Sequence, residues 1–307
     1  MAHNEEANIG HMLDALRRQQ LAEVDITEII VVASGCVDRT EEIVRDLCQC
    51  DPRIRLISEA ERAGKSAALN TLLRNTHAEV IAVVNADTIP GAAAIEHLVL
   101  PFEDPDVGMT AGRPLPTNDS RSFMGFAVHF LWTLHHQLSL RRPKMGELIA
   151  FRNVFRQIPR DSAVDEASIE PLIRGQGLCL RYVPQAVVYN HGPETVEDYL
   201  RQRRRIYAGH IYVHDTLGYR VSTMNGFRLF HLLLTDPGVE RDWRYFLWGP
   251  LVVGLEVWAR LLGLADYRLW KQEHAVWEVV NSTKSVTALS QNLDSGRPGL
   301  PKLSEPN

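Results

Sequence analysis

The chain has 307 residues, enough for one large domain and an appendage, and 45% of them are hydrophobic, an ordinary share for a packed core. Its 33 basic and 38 acidic residues leave a net charge of −5, which argues against general affinity for nucleic acid. The four cysteines, Cys36, Cys48, Cys50 and Cys179, form no zinc-like pair of pairs and read as reduced thiols of a cytosolic compartment. The opening Met1-Ala2-His3-Asn4-Glu5-Glu6 is polar from the start, so no signal peptide is expected.

Apolar periodicity predicts a strand over 28–33, a helix over 40–50 with Thr40 as its N-cap, and a strand over 53–57. A helix over 66–75, a strand over 80–84 and a helix over 91–102 follow. This alternation implies an α/β fold, with a mostly parallel, Rossmann-like sheet covered by helices on both faces. A further strand is expected over 107–111 and a long amphipathic helix over 122–140. Residues 181–189 read as two short strands broken at Pro184, and 195–212 as a helix with a basic middle.

Residues 245–265 are almost wholly apolar, and about 20 such residues just suffice to span a bilayer. Glu256 and Arg260, four apart, lie on one helical face and can pair. A buried core helix and an interfacial or membrane-anchoring helix both fit. Trp243, Trp248, Trp258 and Tyr267 line the stretch as interfacial aromatics do. The expected organisation is a domain over 1–215, a helical, membrane-associated segment over 216–289 and a disordered tail over 290–307.

Several polar residues stand where chemistry is expected. The apolar run Val80-Ile81-Ala82-Val83-Val84 stops at Asn85-Ala86-Asp87, and the carboxyl ends of buried strands are where open α/β sheets bind ligands. Asp87 can hold a hard divalent cation against a phosphate, or it can N-cap the next helix. Gly64-Lys65-Ser66 is not a P-loop, because Glu59 stands where that loop needs glycine, yet a lysine at a helix N-terminus can still meet a phosphate. Ser34-Gly35-Cys36-Val37-Asp38 ends a strand in a small-residue turn. Asp165 and Glu166 precede an apolar helix, as a general base or as partners of the helix dipole. Four arginines crowd 201–205, where a diphosphate, a solvated face or anionic lipid would suit them. His191 ends an apolar strand as a metal ligand or a structural histidine.

The order of these pieces resembles the family 2 glycosyltransferases and their nucleotide-sugar-binding GT-A fold. The family's opening, roughly Pro-Ala-Tyr-Asn-Glu-Glu, is matched by residues 1–6, and its Val-Val-Asp-Asp-Gly-Ser-x-Asp-Gly-Thr block by 31–40. Its Gly-Lys-x-x-Ala-Leu-Asn is matched by 64–70, and its Asp-x-Asp metal motif by Asn85-Ala86-Asp87. Its acidic pair falls on Asp165-Glu166 and its Gln-x-x-Arg-Trp motif on 202–206; the resemblance covers about 1–215.

The resemblance implies inverting, metal-dependent transfer from a nucleotide-sugar donor to a glycan or lipid-linked acceptor at the cytoplasmic face of the membrane. It places His3, Glu5, Ser34, Asp38, Lys65, Asn85, Gln202 and Arg205 around the donor, and Asp87, with His191, on a Mg or Mn ion. Glu166 aligns best with the catalytic carboxylate and Asp165 next. The segment 144–152 should wall the acceptor site, with Glu147 or Arg152 on sugar hydroxyls.

Three departures matter. Ala33 and Ser34 replace the aspartate pair, and Asn85 replaces the first acid of the metal motif. These losses make a non-catalytic sugar-nucleotide-binding protein the alternative. Ile206 replaces a tryptophan common in processive synthases, which favours single additions. By this alignment the chain begins where the family's first strand ends, so a native start upstream of Met1 is expected. Mass spectrometry of the native protein should find a longer N-terminus; a native chain beginning at Met1 would refute this.

Overall fold

A computed structural model describes residues 1–160, 162–224, 231 and 243–270. The expected tail over 290–307 and much of the 216–289 segment lie outside these residues. The first half alternates as its periodicity requires: α1 Ile9–Arg17, β1 Ile29–Ser34, α2 Thr40–Cys50, β2 Ile54–Glu59, α3 Lys65–Asn75, β3 Val80–Val84, β4 Thr88–Pro90 and α4 Ala94–Val99. Pro101 cannot continue an α-helix, so the helix expected to reach residue 102 tightens into a 3₁₀ turn over Leu100–Glu103. Then come β5 Val107–Pro116, α5 Phe123–Arg141, β6 Leu148–Arg152, α6 Asp165–Gly175, β7 Cys179–Asn190, α7 Val196–Leu217 and α8 Trp243–Ala265.

The fold is α/β, with strand directions more mixed than strand–helix alternation suggests. β1 and β2 pair in parallel, and Ala2 adds a parallel bridge to Ala33. The other strands form a five-stranded sheet in the order β3-β6-β5-β7-β4. Within it β5 and β7 are parallel, while β6 runs antiparallel to β3 and to β5, and β4 antiparallel to β7.

Residues 179–190 make one strand rather than two. Its register against β5 slips between Ala111 and Arg113, whose partners are Tyr182 and Val187. The extra residues on β7 bulge out of the ladder, and Pro184 sits among them, where its missing N–H costs no hydrogen bond. Gly112 faces this bulge; a Cβ there would lie 2.3 Å from the Ala186 carbonyl oxygen.

α5, α7 and α8 build a helical layer beside the sheet. Phe123 and Phe126 meet Trp248 edge-on, with ring centroids 5.8 and 5.5 Å apart. Arg203 grips Glu256 through two bonds of 2.8 Å, Arg260 adds a third at 3.1 Å, and Arg204 pairs with the fully buried Asp266. The inner face of α8 therefore carries its charges, each paired, while Trp243, Phe246, Leu247, Leu251, Trp258 and Leu261 point outward and are exposed. Trp243–Leu269 is long and apolar enough to cross a membrane by length and composition.

Gly263 lets α8 approach α7, since a Cβ there would lie 2.5 Å from the Arg204 carbonyl oxygen. Gly263→Leu should lower stability by about 1–3 kcal/mol through this overpacking. Urea denaturation followed by tryptophan fluorescence measures it, and an unchanged midpoint would contradict the packing.

Candidate active site

The strand ends converge on one cavity of about 470 Å³. Ser34 ends β1, Asn85 to Asp87 follow β3, and Asn190 and His191 end β7 opposite Thr88. Val84 pairs with Leu148, so the entry into the antiparallel β6 brings Glu147 beside Asn85, whose Nδ2 donates to Glu147 Oε2 at 2.7 Å. α3, α6 and α7 add Lys65, Glu166, Gln202 and Arg205 to the walls.

The opening loop forms the wall beside β1. His3 Nδ1 lies 2.7 Å from the Ser34 carbonyl oxygen, and Glu5 Oε2 accepts from Asn8 Nδ2 at 2.9 Å. Asn4 adopts a left-handed backbone with φ 53°, and its Oδ1 accepts from the Val37 N–H. Asp38 does not line the cavity. Its carboxylate accepts from Thr40 N–H, Thr40 Oγ1 and the Glu6 N–H, which knits the loop to the start of α2. Thr40 is therefore the first residue of α2 rather than its cap, and its hydroxyl oxygen accepts from the Glu5 N–H at 2.7 Å.

Lys65 begins α3 after Gly64, which has φ 90°, and its Nζ lies 2.8 Å from Asp165 Oδ1. Burial opposes the charge of Lys65, but Asp165 and Glu166 outweigh it and raise the ammonium pKa. Asp165, buried too, is held below its ordinary range by Lys65. Glu166 takes the opposite course: burial, then the charge of Asp165, push it up to about 8. The adjacent carboxyls thus differ in protonation, with Asp165 ionised on the lysine and Glu166 the one that keeps a proton. Glu147 is also raised, by burial and then by the charge of Asp87.

α7 distributes its arginines around its circumference. Arg201 reaches out to Glu197, Arg203 binds Glu256 of α8, Arg204 binds Asp266 just past its end, and Arg205 turns into the cavity. Arg205 is 8% exposed, and burial lowers its pKa to about 10 against the attraction of Glu147 and Asp87.

Two expected residues sit differently. Arg152 pairs with Val80 at the far end of β6, roughly 13 Å of strand from Leu148 at the usual rise per residue. Its guanidinium donates to the carbonyls of Val107, Phe102 and Asp104 and to Glu79, outside the cavity, so it is not on the acceptor wall. His191 lines the cavity with both ring nitrogens engaged: Nδ1 lies 3.1 Å from Thr117 Oγ1 and Nε2 lies 3.0 Å from Glu194 Oε1. No cluster of three metal-ligating side chains exists among the described residues. Lys144, Arg203, His210, Glu256 and Arg260 also line the cavity. Of these, Lys144 falls in the segment expected to wall the acceptor site, Arg203 in the arginine run and Glu256 with Arg260 in an expected pair, while His210 carries no sequence signal.

The sequence profile of glycosyl transferase family 2 matches residues 1–166, more than half of the chain. The chain belongs to glycosyl transferase family 2. A family relative, the probable glycosyltransferase YdaM of Bacillus subtilis, is 26% identical over 235 residues, 69% of this chain and 54% of its own length. An N-acetylglucosaminyltransferase of Bradyrhizobium diazoefficiens is 24% identical, over 66% of this chain and 46% of its own. The chain thus spans about half the length of the curated relatives it matches. Among solved structures it resembles the mannosyltransferase PcManGT of Pyrobaculum calidifontis, in complex with GDP-Man and Mn²⁺. The TM-score is 0.53 at 20% identity, over 95% of this chain and 78% of that one. Glucosyl-3-phosphoglycerate synthase of Mycobacterium tuberculosis, with Mn²⁺ and UDP-Glc, gives 0.51 at 20% identity over 72% and 78%.

The Glu166 proton affects stability. Its folded pKa exceeds the ordinary carboxyl value, so folding gains proton affinity; that stabilisation is full below the unfolded pKa and is lost as pH rises toward about 8. Wild type should therefore lose melting temperature between pH 5 and about 8 relative to Glu166→Gln. Thermal melts of both proteins across that range test it, and parallel curves would refute it.

Proposed function

We propose that the protein transfers a sugar from a nucleotide-sugar donor to an acceptor hydroxyl, with inversion at the anomeric carbon. The observation that carries this reading is Glu166, a carboxyl of raised pKa at the same cavity as Lys65, Arg205 and Asp87. The acceptor oxygen attacks the anomeric carbon, the bond to the diphosphate breaks with its electron pair, and the acceptor proton passes to ionised Glu166. Asp165 remains on Lys65 and keeps the lysine charged for the diphosphate. Arg205, buried and poor in solvent, faces the charge that develops on the leaving group. His3, Glu5 and Ser34 bound the nucleoside end of the cavity, and Gln202 stands beside Arg205.

A Mg or Mn ion fits the donor set. Asp87 and Glu147 are close enough for Asp87 to raise Glu147, leaving negative charge that a divalent cation would neutralise. Asp87 is the residue to hold it; one carboxylate suffices when the other ligands are phosphate oxygens and water. The ion would supply charge neutralisation at the diphosphate.

The exposed apolar face of α8 lies opposite its paired charges, an arrangement suited to resting in the interface of a cytoplasmic membrane surface. Asn85 and the missing aspartates at 33–34 favour the second reading, binding without turnover.

Glu166→Gln should cut turnover by about 10²–10⁴-fold and leave donor binding intact. With wild type, kcat/KM should rise tenfold per pH unit until Glu166 ionises near pH 8. Activity should vanish in EDTA and return with Mn. A screen of nucleotide sugars with Mn should reveal the donor as a melting shift, since ligand at a hundred times Kd adds about 2.7 kcal/mol. A metal-independent rate, or binding with no transfer to any acceptor, would remove this reading.

A further inference from the structure

The cavity wall has an apolar part. α5 and α8 pack together there, and Leu131, Trp132 and Leu134 of α5 line the cavity with Val252, Val253 and Val257 of α8. Val253 and Val257 are 37% and 52% exposed, so they belong both to this wall and to the outward apolar face of α8. The apolar wall therefore continues onto the face that suits a lipid interface.

Cations share the cavity with this apolar wall and with Glu166. Among the described residues Arg203 and Arg260 share one carboxylate, Glu256, which leaves their cluster one positive charge in excess. Lys144 lies on the Glu166 side, its Nζ donating to the Met145 carbonyl at 3.3 Å, with Glu166, Glu170 and Glu147 as the acids that act on it. His210, buried, is kept neutral by burial and then by Lys144, Arg203 and Arg260, and all four residues line the cavity. None of these groups serves the donor chemistry. An uncompensated cation in a cavity with an apolar wall suits an anion that carries a hydrocarbon chain.

We infer that the acceptor is an anionic lipid whose phosphate lies at Arg203, Arg260 and Lys144, whose chain leaves past Val253 and Val257, and whose headgroup hydroxyl reaches Glu166. This rests on the reading of Glu166 as the acceptor base and names the acceptor class. Bond changes are those given above: the headgroup oxygen gains the sugar, its proton goes to Glu166, and the lipid phosphate is unchanged.

The full chain can be titrated calorimetrically with decyl phosphate below its micelle concentration, with 1,2-decanediol and with inorganic phosphate. Decyl phosphate should bind saturably and at least about tenfold more tightly than either, a tenfold ratio being 1.4 kcal/mol. Arg260→Gln should erase the advantage over the diol. Val257→Glu, at an exposed position, should abolish binding of both chain-bearing ligands. Melting shifts with UDP or GDP plus MnCl2 monitor the donor side in each protein. Equal affinity for diol and decyl phosphate would overturn the anion subsite, and equal affinity for inorganic phosphate would overturn the apolar subsite. Loss of nucleotide binding with decyl phosphate binding kept would instead overturn the donor reading and leave the lipid subsite standing.

Discussion

The direction of β6 is the constraint on which the site depends. Because this strand runs antiparallel between β3 and β5, its beginning, not its end, meets the carboxyl end of β3. Glu147 thereby reaches Asn85 and the vicinity of Asp87. The same pairing sends Arg152 to the opposite edge, where its guanidinium closes off carbonyls of the turn before β5. One strand thus supplies an acid to the chemistry at one end and a structural cation at the other.

Charge inside the cavity is ordered by pairing rather than by count. Lys65 fixes Asp165 in its ionised form, and that fixed charge, with burial, raises its neighbour Glu166. Two adjacent carboxyls in one helical turn differ because Asp165 lies directly against Lys65, while at Glu166 burial and the charge of Asp165 outweigh the lysines. Among the described residues two arginines share one glutamate, and Arg205 keeps its charge with little solvent. Positive charge therefore lines the cavity that holds Glu166 from more than one helix.

Much of this was legible in the amino-acid order, and the rest fails for identifiable reasons. Val80 to Val84 announces a buried strand by its apolar run, so Asp87 falls at a strand end without any coordinates. Lys65 and Asp165-Glu166 each stand at the start of a helix, where local pattern is strongest. Strand direction, by contrast, leaves no trace in apolar periodicity, so nothing in the order of residues separates Arg152 from the cavity end of its segment. Asp38 looked like a ligand because a carboxylate after a glycine turn looks the same whether it binds a substrate or a backbone N–H. The clustering of Lys144, Arg203 and Arg260 joins residues more than fifty positions apart, and only folding brings them together.

α7 assigns a separate task to each arginine in the stretch 201–205 by turning about 100° per residue. One reaches solvent, one binds Glu256 of α8 and also lines the cavity, one holds Asp266 just past α8, and one turns into the cavity. The phase of this helix therefore ties its attachment to α8 and its electrostatics to a single register. Substitutions along the outward stripe are free to accumulate, but inserting or deleting one residue would rotate every arginine off its partner at once. Over evolutionary drift this stretch can change its letters while its length stays frozen.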